Sequence, residues 1–378
     1  MLNSDDFFGK LTHQYKINLP FVIYRKPNSE EVNAMLQKND ELYKVSDYSE
    51  SGFVFAPFDD REDTIIIPSE NSEVLNHTFN VISNECEKSH KENSSIQSKE
   101  FHINLVQKGI DSINSNHLVK VVLSRAETVE LSETHPIQLF NRLLQNYPTG
   151  LVYCWYHPKI GLWLGATPET LLRVEGKCYE TMALAGTQLY NGNLDVVWRD
   201  KEKEEQQLVT NYIVSSLQSS AGSQNINVSE VKTVKAGNLL HLQTNITGTL
   251  NFATLNFKSF LNSLHPTPAI CGIPRDRAKQ FILKNENYNR EFYSGFLGEL
   301  NLHLKKMRSA NSRNIENQAY ASIKKVSNLY VNLRCVQLRN NEAMIYVGGG
   351  ITKDSIPENE WVETINKTNT IKKVLSRP

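Results

Sequence analysis

The sequence predicts an α+β fold with mostly antiparallel strands. Strand-like runs arrive in consecutive groups, and amphipathic helical runs fall between those groups. A regular alternation of strand and helix would instead have indicated a doubly wound parallel sheet. No internal repeat is visible. Hydrophobic content of 39% and charged content of 22% describe a globular chain, and 378 residues suffice for one large domain or two smaller ones.

Each element rests on a local pattern. Residues 1–85 hold short apolar runs, LPFVIYRK and TIIIPSE, which read as strands with loops. Residues 87–100, EKSHKENSSIQSKE, lack apolar anchors and read as a loop or an exposed helix start. They divide an N-terminal part, 1–100, from the main region, 101–378, within what is expected to be one intertwined domain. FHINLVQKGIDSINS has helical spacing, KVVLSRAETVEL is a β-branched strand, and HPIQLFNRLLQNY is helical again. Strands follow at 151–156, 160–166, 169–175 and 178–184, then a charged helix at 199–218 and strands at 227–235 and 240–249. A helical group is expected over 278–325, strands at 328–337 and 342–347, and a last helix from 356 to the end. The polar stretch 300–328 reads as surface helix with a mobile middle.

Charge and cysteine usage narrow the partners. Lysine plus arginine equals aspartate plus glutamate, 41 each, which argues against nucleic acid or an anionic membrane as the main partner. No apolar run approaches the roughly 20 residues that cross a bilayer. The N-terminus MLNSDDFFGKLTHQYK has no basic start and apolar core, so no signal peptide is expected. The five cysteines, Cys86, Cys154, Cys178, Cys271 and Cys335, are scattered without metal spacing. They fit free thiols in a reducing cytoplasm.

Several residues could carry chemistry, and each has a bland alternative. In GLWLGATPETLLRVEG (161–176), Glu169 sits between two apolar runs and faces either solvent or a pocket. On the helix near 205, Leu208, Val209, Tyr212, Ile213 and Leu217 form an apolar face. Glu205 projects along that side, while Lys201, Lys203 and Glu204 can stay in water. Read alone, a solvated helix start is the simpler account. SIPE at 355–358 reads as a capping box, with Ser355 capping and Glu358 reaching back. Glu363 and Lys367, four apart, make either an exposed ion pair worth roughly a few tenths of a kcal/mol or a carboxylate and an ammonium facing one pocket. Arg334, in the expected strand YVNLRCVQL, is either an edge gatekeeper or a bidentate carboxylate binder. VGGGI (347–351) permits close backbone approach but lacks a P-loop ending. Lys120 opens its strand as a solvated edge residue or a buried base. His265, in LHPTPAICG, is a lone histidine, the type more often structural than catalytic.

Taken together and in order, these segments resemble the chorismate-utilising enzymes, most closely their isochorismate synthase branch. The residues carrying the resemblance are KVVLSR (120–125), GATPETLLR (165–173), ALAGTQ (183–188), KEKEEQQLV (201–209), LHPTPAICG (264–272), REFYSGFLGEL (290–300), YVNLRC (330–335), and VGGGI with EWVETINK (347–351, 360–367). They span roughly 120–370; the first hundred residues contribute little. The resemblance implies two packed antiparallel β-sheets with helices outside. It implies Mg2+-dependent, reversible conversion of chorismate to isochorismate, by water attack at C2 and loss of the C4 hydroxyl. Lys120 would be the base that activates water; the ammonia-using members carry glutamine there. Glu169 would be the general acid, and Glu205 and Glu363 would hold magnesium. Arg334 and Lys367 would bind the substrate carboxylate, with Gly186, Thr187, His265 and Gly348 lining the same site.

The chain departs from the pattern in two places. The family often has Glu-His at the first metal motif, where this chain has Glu205-Gln206 beside Glu204. Alignment with the following Leu-Val selects Glu205. The stretch 300–328 is longer than usual. A salicylate synthase, which goes on to eliminate pyruvate, and a catalytically silent chorismate binder stand as rivals. A cytoplasmic monomer or weak homodimer, acting on a small molecule, is expected for menaquinone or catecholate siderophore biosynthesis.

Overall fold

Every strand pair in the described residues is antiparallel. The computed structural model describes residues 4–79, 96–131, 135–237, 239–305 and 323–375. The chain runs α1 (Ser4–Lys16), β1 (Phe21–Arg25), β2 (Glu31–Gln37), β3 (Tyr43–Lys44), β4 (Gly52–Ala56), β5 (Ile65–Pro68), β6 (Ser72–Thr78) and α2 (Ile96–Asn114). It continues with β7 (Lys120–Glu130), α3 (Pro136–Asn146), β8 (Leu151–His157), β9 (Gly161–Thr167), β10 (Thr170–Glu175), β11 (Cys178–Leu189) and α4 (Asp200–Ser219). Then come β12 (Ser223–Val228), β13 (Lys232–Ala236), β14 (Leu239–Leu250), α5 (Phe257–Leu264), β15 (Gly272–Ile273) and α6 (Arg275–Asn285). The last elements are β16 (Phe296–Lys305), β17 (Ile323–Val331), β18 (Cys335–Arg339), β19 (Glu342–Ile351) and α7 (Pro357–Leu375).

The strands form two sheets. One has nine strands in the order β15-β7-β19-β18-β9-β8-β1-β2-β6; the other has ten, ordered β12-β14-β11-β10-β17-β16-β4-β5-β3, with β13 also on β14. Period-two alternation explains how they pack. On β8, Leu151, Tyr153 and Trp155 face a core between the sheets, while Val152, Cys154 and Tyr156 face a core under helices. On β4, Phe53 and Phe55 join the inner core and Val54 and Ala56 the outer one. The inner layer is aromatic, with Phe55 stacked on Phe292 at a centroid distance of 4.2 Å. Side chains of α1, α3 and α7 cover the outer face of the nine-stranded sheet, and those of α4 and α5 cover the other. Because both faces of β1 are buried, FVIYR reads as a continuous apolar run rather than an alternating one. Residues 21–78 supply strands to both sheets: β1 pairs β8, and β4 pairs β16.

Some local expectations are corrected. The N-terminal part opens with helix α1, whose buried Phe7 and Leu11 lie four apart. The expected helical group ends at Asn285, and 296–305 is strand β16 paired to β17 and β4. The expected surface helix over 300–328 is therefore strand at both ends, and its middle, 306–322, lies outside the described residues. The expected strand 227–235 is two, β12 and β13, both on β14. The capping box does not form: Ser355 Oγ accepts from Thr352 N at 3.1 Å, and Pro357 opens α7. Proline suits that position because its missing N–H would have no helical partner. No described helix is long and apolar enough to cross a membrane.

Candidate active site

The most informative loops are two crossings between the sheets. At Pro168-Glu169 the chain leaves β9 in one sheet and enters β10 in the other. At Asn332–Arg334 it leaves β17 and returns to β18. The expected strand 328–337 is therefore broken where Arg334 stands. Arg334 has φ 48, a left-handed conformation that costs a non-glycine residue energy and persists only where the surroundings enforce it. The crossings are tied together. Val331 N donates to Glu169 O at 3.0 Å, Thr167 Oγ1 to Val331 O at 2.6 Å, and Ala166 N to Arg334 O at 3.2 Å. A carboxyl and a guanidinium thus arrive side by side at the junction of the sheets.

Both line a cavity of ≈ 1030 Å³, counted with its open mouth. Glu169 is only 3% exposed. Burial pushes its carboxyl up to about 8, against the pull of Lys120 and Arg334. It therefore holds a proton at neutral pH and can donate it. Arg334 donates to Ala236 O at 2.9 Å and is 2.8 Å from His241 Nε2. His241 Nδ1 lies 2.8 Å from Gly186 O. Burial, then Arg334, push His241 down to about 3, so the ring is neutral. The partners define its tautomer: Nδ1–H donates to the carbonyl and Nε2 accepts from Arg334. Both partners of Arg334 are uncharged, which leaves its positive charge for an anion in the cavity.

A bulge in β11 shapes the opposite wall. The β11–β14 register shifts between Ala185 and Gln188, turning Gly186 and Thr187 to the cavity. Gly186 has φ 71, and a Cβ there would stand 3.1 Å from Glu202 Cβ. Glycine lets the first turn of α4 press against the bulge, and this sets where Glu202 and Glu205 project. On α4 Glu205 does face inward, beside the helix's buried Val209 and Ile213. Lys201 is half-buried and lies 2.6 Å from Glu360 Oε1.

Lys120 is 0% exposed, and its Nζ lies 2.9 Å from Glu205 Oε1. The contact is an ion pair, and the buried amine has no further polar partner among the described residues. It stands at the wall beside Gly350 rather than among the lining side chains. Burial would push the Glu205 carboxyl up, but Lys120, Lys367 and Lys201 hold it below its usual range. On α7, Glu363 Oε1 pairs with Lys367 Nζ at 2.8 Å, and that amine also donates to Gly348 O at 2.8 Å. The i,i+4 pair and the pocket placement are therefore both real.

His265, expected in the site, does not line the cavity. Its Nε2 bonds Ser294 O at 3.0 Å and its ring packs on Phe296, behind the cavity wall. Burial pushes it down to about 4, so it is a neutral structural histidine. The other expected residues, Gly186, Thr187, Arg334, Gly348, Lys367, Glu169, Glu205 and Glu363, all line the cavity. The sequence reading missed His241, Glu202, Tyr293 and Glu360. A signal existed for two of them: Glu202 precedes Glu205 by three and Glu360 precedes Glu363 by three, which puts each pair on one helix face.

The carboxylates suit a hard divalent cation. Glu202 Oε2 is buried without a hydrogen-bond partner. A Cβ at Gly349 would meet Glu363 Oε1 at 3.4 Å and Glu360 Oε2 at 3.5 Å, and one at Gly350 would run into Glu205 Oε1. Side-chain-free strand thus leaves room where carboxylates from two helices converge. Among the described residues no three metal-type side chains close on one point. The donor set is an open one, which matches magnesium, since that ion keeps several waters. Glu202, Glu205, Glu360 and Glu363 face Lys120, Lys201, Lys367 and Arg334, so a divalent cation with a dicarboxylate leaves the charge balance unchanged.

Gly350→Ala is expected to keep the fold, because the added methyl meets the far ends of the Glu205 and Lys120 side chains rather than backbone, and to lower turnover about 10- to 100-fold by displacing Glu205. Steady-state assays and thermal melts check this; parent-like turnover would sink it.

The chain matches family profiles described as "chorismate binding enzyme" over residues 54–322 and 319–373. It is 30% identical over 282 residues to the isochorismate synthase MenF of Escherichia coli K12, covering 72% of this chain and 59% of that protein. It is 28% identical over 265 residues to the isochorismate synthase EntC of the same strain, covering 67% and 61%. The match thus spans about three-fifths of these relatives. In solved structures, the fold is similar to a Bacillus anthracis chain assigned as the 2,3-dihydroxybenzoate-specific isochorismate synthase DhbC, with TM-score 0.75, 21% identity, and coverage of 97% of this chain and 99% of that one. It is also similar to MenF of Escherichia coli, with TM-score 0.73, 22% identity, and coverage of 94% and 89%.

Proposed function

We propose isochorismate synthesis as the reaction of this chain, which belongs to the chorismate-binding enzyme family. The observation that carries this reading is a single cavity flanked by a buried amine and a buried carboxyl that stays protonated at neutral pH. Chorismate has two carboxylates, a C4 hydroxyl and a conjugated ring. Lys120 takes a proton from water as the water oxygen bonds to C2. The ring double bonds shift and the C4–O bond breaks. Glu169 gives its proton to the departing hydroxyl, which leaves as water. One water enters and one departs, so the product is an isomer. Return of one proton from Lys120 to Glu169 resets the site, and the reverse reaction uses the same groups.

Arg334, held by His241 and Ala236 O, pairs with a substrate carboxylate, and Lys367 adds a second cation to that side. Glu205 and Glu363 would hold Mg2+, with Glu202 and Glu360 beside them. The metal, when bound, neutralises the other substrate carboxylate and orients the ring. Gly186, Thr187 and Gly348 shape the walls. Water rather than ammonia is the nucleophile because a lysine stands where the resemblance places glutamine in ammonia users.

The test is a product assay. Incubation with chorismate and magnesium is expected to give a chorismate–isochorismate mixture, the same from either side. Salicylate with pyruvate would move the protein to the coupled eliminating reaction. Absence of any magnesium-dependent product would make it a silent binder. Either result overturns the proposal.

A further inference from the structure

Helical spacing puts Glu360, Glu363 and Lys367 along one line of α7, and Trp361, Thr364, Thr368 and Lys372 along the line beside it. That second line is gripped by β7. Arg125 is 6% exposed. Its Nε donates to Thr364 Oγ1 at 2.9 Å and a terminal nitrogen to Thr368 Oγ1 at 3.3 Å. Its guanidinium carbon stands 4.5 Å from the centroid of the Trp361 ring. The other terminal nitrogen donates to Glu127 Oε2 at 2.8 Å, and Glu127 also pairs with Lys372.

The contact is directional. Thr364 Oγ1 donates to Trp361 O, and Thr368 Oγ1 donates to Thr364 O, each at 2.8 Å. Both hydroxyl protons are used within the helix, so only lone pairs face the strand. A planar guanidinium reaches both oxygens and still covers the indole; an ammonium is a point charge and does not span them. The apolar side chains beneath α7, such as Ile371 and Val374, hold the helix without fixing its register, because burial is non-directional. A shift of one residue would turn the helix by about 100° and carry Glu363 out of the cavity.

We propose that Arg125 is a positioning residue for the metal side of the pocket. It sets the rotation and axial register of α7, and so the placement of Glu360, Glu363 and Lys367, without touching the cavity. The inference rests on the assignment of Glu363 to magnesium. The test uses the full chain with Arg125→Lys, and separately the double variant Thr364→Val with Thr368→Val, which removes only the acceptors. Magnesium binding is measured by calorimetry and by the metal-induced rise in thermal midpoint, and amide exchange in α7 is followed without metal. Both variants are expected to bind magnesium about tenfold more weakly. Exchange in α7 should rise, and KM for chorismate at saturating metal should rise as well, because Lys367 is carried on the same helix. Glu363→Ala runs alongside. Should Glu363→Ala bind magnesium as the parent does, the metal assignment falls and this inference with it. Should Glu363→Ala lose binding while the others stay within about twofold of the parent, only the positioning role of Arg125 is overturned. If Arg125→Lys does not fold, the double valine variant decides.

Discussion

Glu169→Gln is expected to bind chorismate nearly as the parent does and to turn over about 10²- to 10⁴-fold more slowly. The amide has the shape and neutrality of the protonated carboxyl, so the cavity keeps its form. It has no acidic proton, and hydroxide is a poor leaving group without one. The buried carboxyl is pushed up to about 8, so parent turnover should decline as pH rises through about 8, where Glu169 ionises. The variant's residual rate should lack that limb. Stability follows the same sign. The folded carboxyl holds its proton more tightly than the unfolded one, so this contribution is complete below the unfolded pKa and is lost as pH rises through about 8. Single-turnover kinetics and a binding titration provide the check. Near-parent turnover, or a variant that keeps the alkaline limb, would remove Glu169 from the acid role.

Lys120→Met is the second large effect. Methionine fills much the same volume as the lysine stem, so no large cavity opens at a fully buried site. The base is lost, and turnover is expected to fall by about 10²- to 10⁴-fold. Glu205 also loses its nearest cation, 2.9 Å away. Its carboxyl should rise, because burial already pushes it upward and Lys120 is the foremost group holding it down. A difference infrared titration of the carboxylates reads that rise directly. Turnover within about tenfold of the parent would show that another group deprotonates the water.

The legibility of the site differed residue by residue. Leu208, Val209 and Ile213 mark an apolar helix side along which Glu205 projects, but read alone a solvated helix start was the simpler account, and family resemblance selected Glu205. Gly186, Thr187 and Gly348 were legible only through family resemblance, since no local pattern says which glycine meets a ligand. His265 was misplaced because a histidine beside prolines in a family segment carries no sign of its direction; in the fold it turns to Ser294 O. His241 was passed over because LLHLQT reads as an ordinary strand. Its importance lies in two partners, Gly186 and Arg334, that stand 55 and 93 residues away.

Family resemblance supplied the residues for acid, base and carboxylate chemistry; the sequence by itself determined the α+β class and the faces of the long helices. Those features live in local periodicity, which reports which side of an element is apolar. Tertiary structure alone decided that Glu169 and Arg334 ride on neighbouring crossings between the sheets. It alone put Arg334 in a left-handed turn instead of a strand. It also decided that strand β7 clamps α7 across more than two hundred residues of chain. The physical reason is register. Pairing between distant segments is set by long-range hydrogen bonds and packing, and a shift of one residue reverses every side chain on a strand while leaving its local pattern untouched.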